Sequence, residues 1–490
     1  MLLRFKKTIT LFVSRHPLSS QMIPFLILGI ALLAFSIKTL NTGFFHDDWH
    51  HVYYAYNFGL DGLKQFLFFD SRPLAYIVYG PLFSSLGVNP RNWHLLVLFL
   101  RFFTVAVFFW NLNLITRKFQ KQNGLIALLF LIYPVFQVQP NSVSYALHWV
   151  TYLVFMLSLL FMILAIRNVK FRVVFTVISL LLEVFHLLML EYFAGVELIR
   201  IFLIWYLLRD NLVKTRLKKA LVYWAPYLAI LAAYTVFRIS YSRLLGYDRN
   251  SPVILLGLLS TPLDSILFLV QSAIRDLVDI LLTTWSETYN PAYINFSVFT
   301  NIWIWAFAGL VSLISWVFFA FIPDQEHKEE EQRVWAKTLV FLGFIFVILS
   351  FLPTWLTGRT FFDIYDLFDD RFALPAMFGA SMIWGGAVFY LIKKPVHSYI
   401  ITFILIGLAV ALQLRTNTEY SQSWDKQSKF YWQLYWRAPY IEPETAFISE
   451  GEIFMYMGTH PTMYAINTLY GQNDDVKTFD YSSFVSPKVA

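Results

Sequence analysis

Residues 146–166 read ALHWVTYLVFMLSLLFMILAI, which is 21 residues without an Asp, Glu, Lys or Arg. A helix that crosses a bilayer needs about 20 mostly apolar residues. The stretch therefore predicts a membrane-spanning helix. Ten other apolar stretches bring the predicted number of spans to eleven, and they lie at residues 22–40, 93–116, 124–139, 173–190, 193–208, 220–238, 296–322, 335–356, 375–392 and 397–415.

The composition of the whole chain favours the same class. The 490 residues are 58% hydrophobic and 14% charged, whereas an average soluble domain is roughly 25% charged. This shortage of charge excludes a disordered protein and an ordinary soluble enzyme. The chain has no Cys, which excludes disulfides, a thiolate nucleophile and a cysteine-based zinc site.

Basic residues in short loops predict the orientation of the chain, because such loops stay on the cytoplasmic side. With a cytoplasmic N-terminus, the inner segments hold 20 of the 38 basic residues and six of the 31 acidic ones. Their net charge is +14, whereas the net charge of the rest of the chain is −7. The first span has no small-residue cleavage site, so we expect a retained anchor. The inner basic residues are Arg4, Lys6, Lys7, Arg15, Arg117, Lys118, Lys121, Arg167, Lys170, Arg172, Arg209, Lys214, Arg216, Lys218, Lys219, Lys328, Arg333, Lys337, Lys393 and Lys394. The acids that share these segments are Asp210, Asp324, Glu326, Glu329, Glu330 and Glu331.

Eleven spans that start from a cytoplasmic N-terminus place the last segment of the chain outside. We therefore predict two regions, a transmembrane domain over residues 1–415 and a small extracytoplasmic tail over 416–490. The outer loops of the first region are 41–92, 239–295 and 357–374. Polar residues interrupt the apolar stretch 253–285 within the second loop, which favours an amphipathic helix at the interface over another span. In the tail, Trp424 to Trp436 predicts an aromatic-rich helix, and short pieces such as Thr445–Ile448 predict strands.

The first outer loop contains two adjacent acids, Asp47 and Asp48, in the stretch 44–51, which reads FFHDDWHH. In a cleft, each carboxylate would raise the pKa of the other. A carboxylate poised in this way can take a proton from an acceptor hydroxyl. The two acids are therefore the candidate catalytic residues, and the alternative is an acidic, solvated loop.

The histidines around the acid pair favour a second hypothesis, a divalent metal site. His46, Asp48 and His50 carry suitable ligand atoms, and the ion would be Mg or Mn. Neighbouring residues of one loop rarely all face a single ion, so the metal remains an alternative to direct acid–base chemistry.

The loop continues with an Arg-Pro-Leu stretch at 72–74, Gly87 with Asn89-Pro90, and Trp93-His94-Leu95 at the start of the second span. This combination resembles GT-C glycosyltransferases, and above all membrane O-mannosyltransferases and bacterial enzymes that glycosylate lipids or cell-wall polymers. The resemblance covers about residues 40–115 and is only architectural across the other spans. The family's second acid is frequently Glu, and His46 is not part of its pattern.

The resemblance implies a GT-C-like, all-α polytopic membrane protein that transfers a sugar from a polyprenyl-phosphate carrier to an acceptor on the outer face, with inversion. It implies that Asp47 is the base and that Asp48 positions the site or a metal. The acceptor would be a lipid, a glycan or a protein of a bacterial cell envelope. The family needs no nucleotide donor, which agrees with the missing phosphate-cradling Gly-rich loop.

A carrier phosphate requires cations, and the planar fork of Arg matches phosphate oxygens. Arg371, before Pro375, is predicted to open a helix whose positive end faces the anion; the alternative is an ion pair with Asp369 or Asp370. The phosphate-binding candidates are Arg72, Arg359 and Arg371. Further outer arginines are Arg91, Arg238, Arg243 and Arg249.

Acids also occur within the predicted spans, where a charged group costs about 2.5–3.5 kcal/mol or more and needs a partner. We predict that Arg101 pairs with Glu183, with Arg200 as the substitute partner. Glu191, at the outer end of its span, is a candidate substrate-binding residue.

Two alternatives to the glycosyltransferase hypothesis remain open. One is a transporter or flippase of lipid-linked sugars, for which we expect internal repeats and polar residues near the midplane. The other is a non-catalytic GT-C-fold protein in a cell-envelope complex. The split of charge between the two sides excludes nucleic acid as a partner, and membrane lipids surround the spans.

Overall fold

The computed structural model describes residues 18–70, 72–245, 252–323, 328–361, 367–472 and 474–486. Several residues used in the sequence analysis lie outside these ranges, namely Arg4, Lys6, Lys7, Arg15, Arg249, Asp324 and Glu326, as does the side chain of Arg243.

Long apolar helices dominate the described residues, and they confirm an all-α, multi-pass membrane protein. Eight of these helices are long and apolar enough to cross a bilayer. They are Pro90–Ile115, Ser142–Arg167, Arg172–Met189, Val213–Ser240, Phe299–Ala320, Glu329–Leu356, Phe368–Leu391 and Pro395–Arg437. Each corresponds to one predicted span.

The three remaining predicted spans coincide with shorter helices. Residues 22–40 contain Ile23–Phe35, residues 124–139 overlap Gln120–Leu131, and residues 193–208 contain Ile199–Leu207. Each is shorter than the roughly 20 residues that a straight crossing requires. The total of eleven spans and their orientation therefore stay predictions.

Burial in the helix Arg172–Met189 shows why a bilayer is the natural solvent of the chain. Val173 and Leu181 are 75% and 65% exposed, whereas Ser179, Glu183 and His186 are buried. An apolar outer face with a polar inner face reverses the pattern of a helix in a soluble protein. We expect lipid chains to cover the apolar outer face, while the polar inner face packs against other parts of the protein.

The other described α-helices are shorter, namely Asp48–Asn57, Gly59–Phe69, Tyr76–Leu86, Val253–Ser260, Pro262–Val278, Thr284–Glu287 and Thr459–Tyr470. The helix that contains the span Val213–Ser240 continues to Leu245. Short 3₁₀ segments are Ser20–Met22, Thr39–Asn41, Pro73–Ala75, Arg117–Phe119, Glu191–Leu198, Pro291–Tyr293 and Leu367–Ala376, and Asp279–Thr283 is a π-helical turn. The strands Ala446–Glu450 and Ser482–Ser486 pair in parallel.

The chain divides into two compact units. The first unit comprises residues 1–34, 101–137 and 152–413, and the second comprises 35–100, 138–151 and 414–490. The helix Pro395–Arg437 continues through the predicted domain boundary at 415/416 without a break. The predicted division into 1–415 and an extracytoplasmic tail stays a prediction.

In the first unit, two glycines let helices approach closely. A Cβ at Gly343 would lie 2.6 Å from the carbonyl oxygen of Gly379, and one at Gly195 would lie 2.1 Å from that of Leu349. Small residues at helix contacts are the usual means of packing in membranes. A larger side chain at either position would force the backbones apart.

In the second unit, the helix Asp48–Asn57 packs against the helix Thr459–Tyr470 of the tail. Tyr53, Tyr54 and Tyr464 form the buried centre of this contact. The predicted helix over 424–436 is part of Pro395–Arg437, and the predicted strand near 445–448 overlaps Ala446–Glu450.

Candidate functional site

The acid pair lies where the chain turns into the helix Asp48–Asn57. His46 has a positive φ of 39°, a region that few residues other than Gly occupy. The amide of Asp48 then donates to the Phe45 carbonyl at 2.9 Å. Strained backbone of this kind is frequent at functional sites.

Asp48 is fully buried, and its carboxyl accepts hydrogen bonds from two backbone amides. Oδ1 lies 2.8 Å from the amide of Ser144, in the first turn of the helix Ser142–Arg167. Oδ2 lies 3.5 Å from the amide of Phe45. Burial nevertheless raises the pKa of Asp48 to about 8. Asp48 is therefore mostly protonated at neutral pH and joins the outer loop to a helix N-terminus.

Asp47 is the accessible acid of the pair. Its side chain is 40% exposed, and Oδ1 lies 3.0 Å from Nδ1 of His46 and 3.6 Å from Nδ1 of His50. Burial lowers the pKa of His50 to about 4, so this ring is neutral at pH 7. Two rings thus orient one oxygen of Asp47 and leave the carboxylate open to solvent.

The predicted metal ligands do not come together around one point. The rings of His46 and His50 face Asp47, whereas the oxygens of Asp48 face the amides of Ser144 and Phe45. Within the ranges that the structure describes, no group of three or more His, Asp or Glu side chains is arranged to hold an ion. A site with Mg or Mn stays a prediction.

The tail adds side chains to this site that the sequence did not indicate. The ring of Tyr464 lies 4.3 Å from that of His50, and the ring of His460 lies 6.0 Å from it. Trp432 and Trp436, in the predicted aromatic-rich helix, are instead 65% exposed. No local pattern singles out His460 or Tyr464, because the contact joins segments about 400 residues apart.

The other motifs of the first outer loop form hydrogen bonds that hold its two ends in place. Nε2 of His94 lies 3.0 Å from Oγ1 of Thr42 and 3.2 Å from the carbonyl oxygen of Gly43. Nε1 of Trp93 donates to the Gly87 carbonyl at 2.8 Å. The loop therefore begins and ends at one point of the second unit.

Arg72, the phosphate candidate of the second unit, forms an ion pair with Asp70, with 3.7 Å between Nη1 and Oδ2. Both side chains are partly exposed, at 33% and 24%. The pair therefore keeps a solvent-facing guanidinium in the loop that holds the acid pair.

The remaining phosphate candidates belong to the first unit. Nη2 of Arg371 lies 3.6 Å from Oδ1 of Asp369, which is the alternative ion pair named above. The guanidinium groups of Arg371 and Arg359 lie 4.9 and 5.8 Å from the ring centre of Phe372. Two cations thus share one aromatic ring.

Arg371 does not open an α-helix, so that prediction is wrong. It lies within the 3₁₀ segment Leu367–Ala376, and the α-helix begins at Met377. Pro375 has no N–H to donate to the carbonyl four residues earlier, and its ring crowds that carbonyl. The amides that the prediction assigned to an anion are therefore not arranged as a helix N-terminus.

Glu191 forms an ion pair with Arg238. The distance between Oε2 of Glu191 and Nη2 of Arg238 is 3.7 Å, and both side chains are about a quarter exposed. Its predicted contact with a substrate stays a prediction.

The predicted pair of Arg101 with Glu183 is wrong. Nε of Arg101 donates to the Leu131 carbonyl at 2.8 Å. Arg200 instead binds Glu197, with Nη2 2.8 Å from Oε1 and Nε in contact with Oε2. Arg200 and Glu197 are three residues apart and meet within one helical turn, which an estimate of membrane depth does not reveal.

His186 and Glu183 complete this cluster in the first unit. Nε2 of His186 lies 2.7 Å from Oε1 of Glu197. Glu183 lies near both Glu197 and Arg200, but the ion pair of Arg200 among the described residues is with Glu197, so the prediction of Arg200 as the partner of Glu183 is not confirmed. The cluster is fully buried, so its charges are balanced by protein groups alone.

Neither a protein-family model nor a curated protein matches this sequence. Any function must therefore be argued from the residues themselves.

Proposed function

We propose that the protein is a membrane glycosyltransferase that moves a sugar from a polyprenyl-phosphate carrier to a hydroxyl of an extracytoplasmic acceptor. The proposal assigns the protein to the GT-C class, with a cytoplasmic N-terminus and the site at the outer face of a bacterial plasma membrane. Its support is the accessible carboxylate of Asp47 beside a buried partner, within the segment that resembles this family.

The geometry around Asp47 suits a general base. In the proposed reaction, Asp47 takes the proton of the acceptor hydroxyl while the hydroxyl oxygen attacks the anomeric carbon. The bond between that carbon and the phosphate oxygen breaks, polyprenyl phosphate leaves, and the configuration inverts. His46 and His50 lie beside Oδ1 of this carboxylate, and the Asp47 side chain is 40% exposed, so an acceptor hydroxyl can approach it from the solvent side.

The leaving phosphate needs positive charge, and guanidinium groups are suited to it by geometry. We assign this role to Arg72, which forms an ion pair with Asp70 and belongs to the same unit as Asp47; Arg359 and Arg371 stay phosphate candidates of the first unit. An existing ion pair does not prevent phosphate binding, because exposed pairs are worth only about 0–1 kcal/mol. Glu191 is assigned to the sugar hydroxyls.

The decisive experiment measures release of polyprenyl phosphate by the purified full chain supplied with a polyprenyl-phosphate sugar. We expect Asp47→Asn to lower the rate by about 10²–10⁴-fold, the usual contribution of a general base. Asp61→Asn is the matched control, since Asp61 is an exposed acid of the same outer loop. Full activity of Asp47→Asn would remove this loop from the chemistry.

A transporter of lipid-linked sugars is the second candidate, and the buried cluster of Glu183, His186, Glu197 and Arg200 favours it. Ionisable groups inside membrane helices often mark substrate or proton paths. Vesicles containing the protein separate the two functions. A labelled lipid-linked sugar that reaches the other leaflet unaltered supports transport, whereas released polyprenyl phosphate supports transfer.

A further inference from the structure

The end of the helix Pro395–Arg437 carries aromatic rings that the rest of the protein leaves uncovered. Trp432 and Trp436 are one helical turn apart, their ring centres lie 6.3 Å from each other, and each side chain is 65% exposed. The ring of Tyr435, which is also exposed, lies 6.0 Å from that of Trp436. Large rings that stay exposed side by side usually mark a binding surface.

The opposite face of the same helix is fixed by contacts within the second unit. The rings of Phe430 and Tyr431 lie 5.2 and 5.8 Å from that of Phe454. The ring of Tyr431 also lies 6.2 Å from that of Trp49, the residue after the acid pair. The two indoles therefore stand on a helix that is held in place from behind.

Polar and cationic side chains accompany the indoles on the exposed face. Lys429, Gln433 and Arg437 are exposed, and their spacing of four residues places them on one side of the helix, next to the two tryptophans. Among the residues that the structure describes, neither Lys429 nor Arg437 forms an ion pair. Asp425 is the only acid of residues 424–437, against Lys426 and the two cations just named. The surface is therefore aromatic and net positive.

This combination of side chains suits a sugar chain better than a protein. The faces of aromatic rings carry partial negative charge, which attracts the C–H groups on the less polar face of a sugar ring. Lysine, arginine and glutamine supply donors for hydroxyls and carboxylates at the rim of the sugar. The exposed residues of 425–437 include no aliphatic side chain, whereas the centre of a protein interface is apolar and depleted of charge.

The length of the helix argues against the bilayer as the partner. Trp432 lies about 17 residues past the predicted end of the span at 415, which corresponds to about 25 Å along a helix. Aromatic belts lie at the level of the lipid headgroups, and this layer is only about 5–8 Å thick on each side. The indoles therefore lie beyond the headgroups.

We propose that this surface binds an acidic glycan, with sugar rings on Trp432 and Trp436 and carboxylates or phosphates beside Lys429 and Arg437. The cations select the charge of the glycan, and the indoles select its ring faces. The glycan is a partner of the tail and need not be the acceptor. The proposal therefore does not rest on the proposed sugar transfer at Asp47.

The test adds the purified full chain, in a neutral detergent, to a fluorescein-labelled oligogalacturonate and records fluorescence anisotropy without any sugar donor. We expect binding that weakens as the salt concentration rises, because salt screens exposed charges. Trp432→Ala/Trp436→Ala should lower the apparent affinity about tenfold or more, since each ring contact contributes roughly threefold to tenfold. Trp432→Phe/Trp436→Phe keeps the ring faces and should retain most of the affinity. Lys429→Gln/Arg437→Gln should bind more weakly and depend less on salt.

The matched control is Tyr56→Ala/Phe68→Ala, which removes two exposed rings from the first outer loop of the same unit. This control should bind the oligogalacturonate as the native chain does. No binding by the native chain, or an equal loss in the control and in the tryptophan-to-alanine variant, overturns the proposal.

Two other ligands are titrated in parallel, a glutamate oligomer of the same length and vesicles of phosphatidylglycerol. The native chain should bind both more weakly than the oligogalacturonate. Equal binding of the glutamate oligomer would indicate a surface for acidic proteins, and equal binding of the vesicles would indicate a membrane contact. Either result also overturns the proposal.

Discussion

The outer loop and the membrane helices each place acids beside a histidine, yet they balance the charge in different ways. Asp47 is 40% exposed and has His46 and His50 at one oxygen. Glu197 is 1% exposed and has both Arg200 and His186. Water can solvate Asp47, whereas inside the protein an ion must find its own counter-charge. An acid that water stabilises stays available to a substrate, and one held by Arg200 does not.

The second acid of each region is buried, and here too the partners differ. Asp48 receives the amides of Ser144 and Phe45, whereas Glu183 faces Glu197 and Arg200. Backbone amides hold a neutral or a charged carboxyl in one fixed position. Asp48 therefore connects the outer loop to the first turn of the helix Ser142–Arg167. Glu183 instead belongs to a cluster of charged side chains.

The largest expected effect is on the intramembrane cluster. Arg200→Met leaves Glu197 buried beside His186 without its arginine, and breaking a buried pair in this way costs about 3–5 kcal/mol. We expect a large loss of thermal stability and of yield in detergent. Unfolding temperatures measured beside those of Arg333→Met, which removes an exposed arginine, check this prediction.

A rescue variant tests the cause. Arg200→Met combined with Glu197→Gln removes both charges and keeps an acceptor for His186, so it should be more stable than Arg200→Met alone. If the double variant is the less stable of the two, charge compensation is not what holds the cluster together.

A smaller effect, confined to one pH range, is expected at Asp48. Its pKa is about 8 in the folded chain, well above the usual 3.9 or so of Asp. Between these values the folded state holds a proton that the unfolded chain has released. The free energy of unfolding therefore falls as the pH rises, by up to about 1.4 kcal/mol per pH unit, and the fall ends near pH 8.

The measurement compares the native chain with Asp48→Asn between pH 6.5 and 8. Burial lowers the pKa of His50 and His51, so their opposite contribution to stability ends near pH 6.5. The unfolding temperature of the native chain should fall across this range more steeply than that of Asp48→Asn. Asp61→Asn should keep the native slope, and equal slopes in all three proteins would mean that Asp48 is ionised throughout.

The sequence predicted what depends on local composition and left open what depends on distant contacts. Eight long helices follow from apolar runs such as 146–166, because hydropathy is a property of each segment. The adjacent acids were identified, but not that Asp48 is buried and Asp47 exposed, since this depends on Ser144. Arg101 was a reasonable partner for Glu183 by depth, yet the local spacing of Glu197 and Arg200 decided the pairing.

The smallest effect is expected when the histidines of the two regions are compared. His50→Phe keeps the ring contact with Tyr464 and loses one long contact to an exposed carboxylate, so stability should change by less than about 1 kcal/mol. His186→Phe removes a 2.7 Å hydrogen bond to buried Glu197, which should cost about 1–3 kcal/mol. Unfolding temperatures of both variants at pH 7 measure the difference. Equal losses of stability in the two variants would show that the outer site depends on His50 for folding as much as the buried cluster depends on His186. The proposed difference between Asp47, which water solvates, and Glu197, which Arg200 and His186 neutralise, would then be wrong.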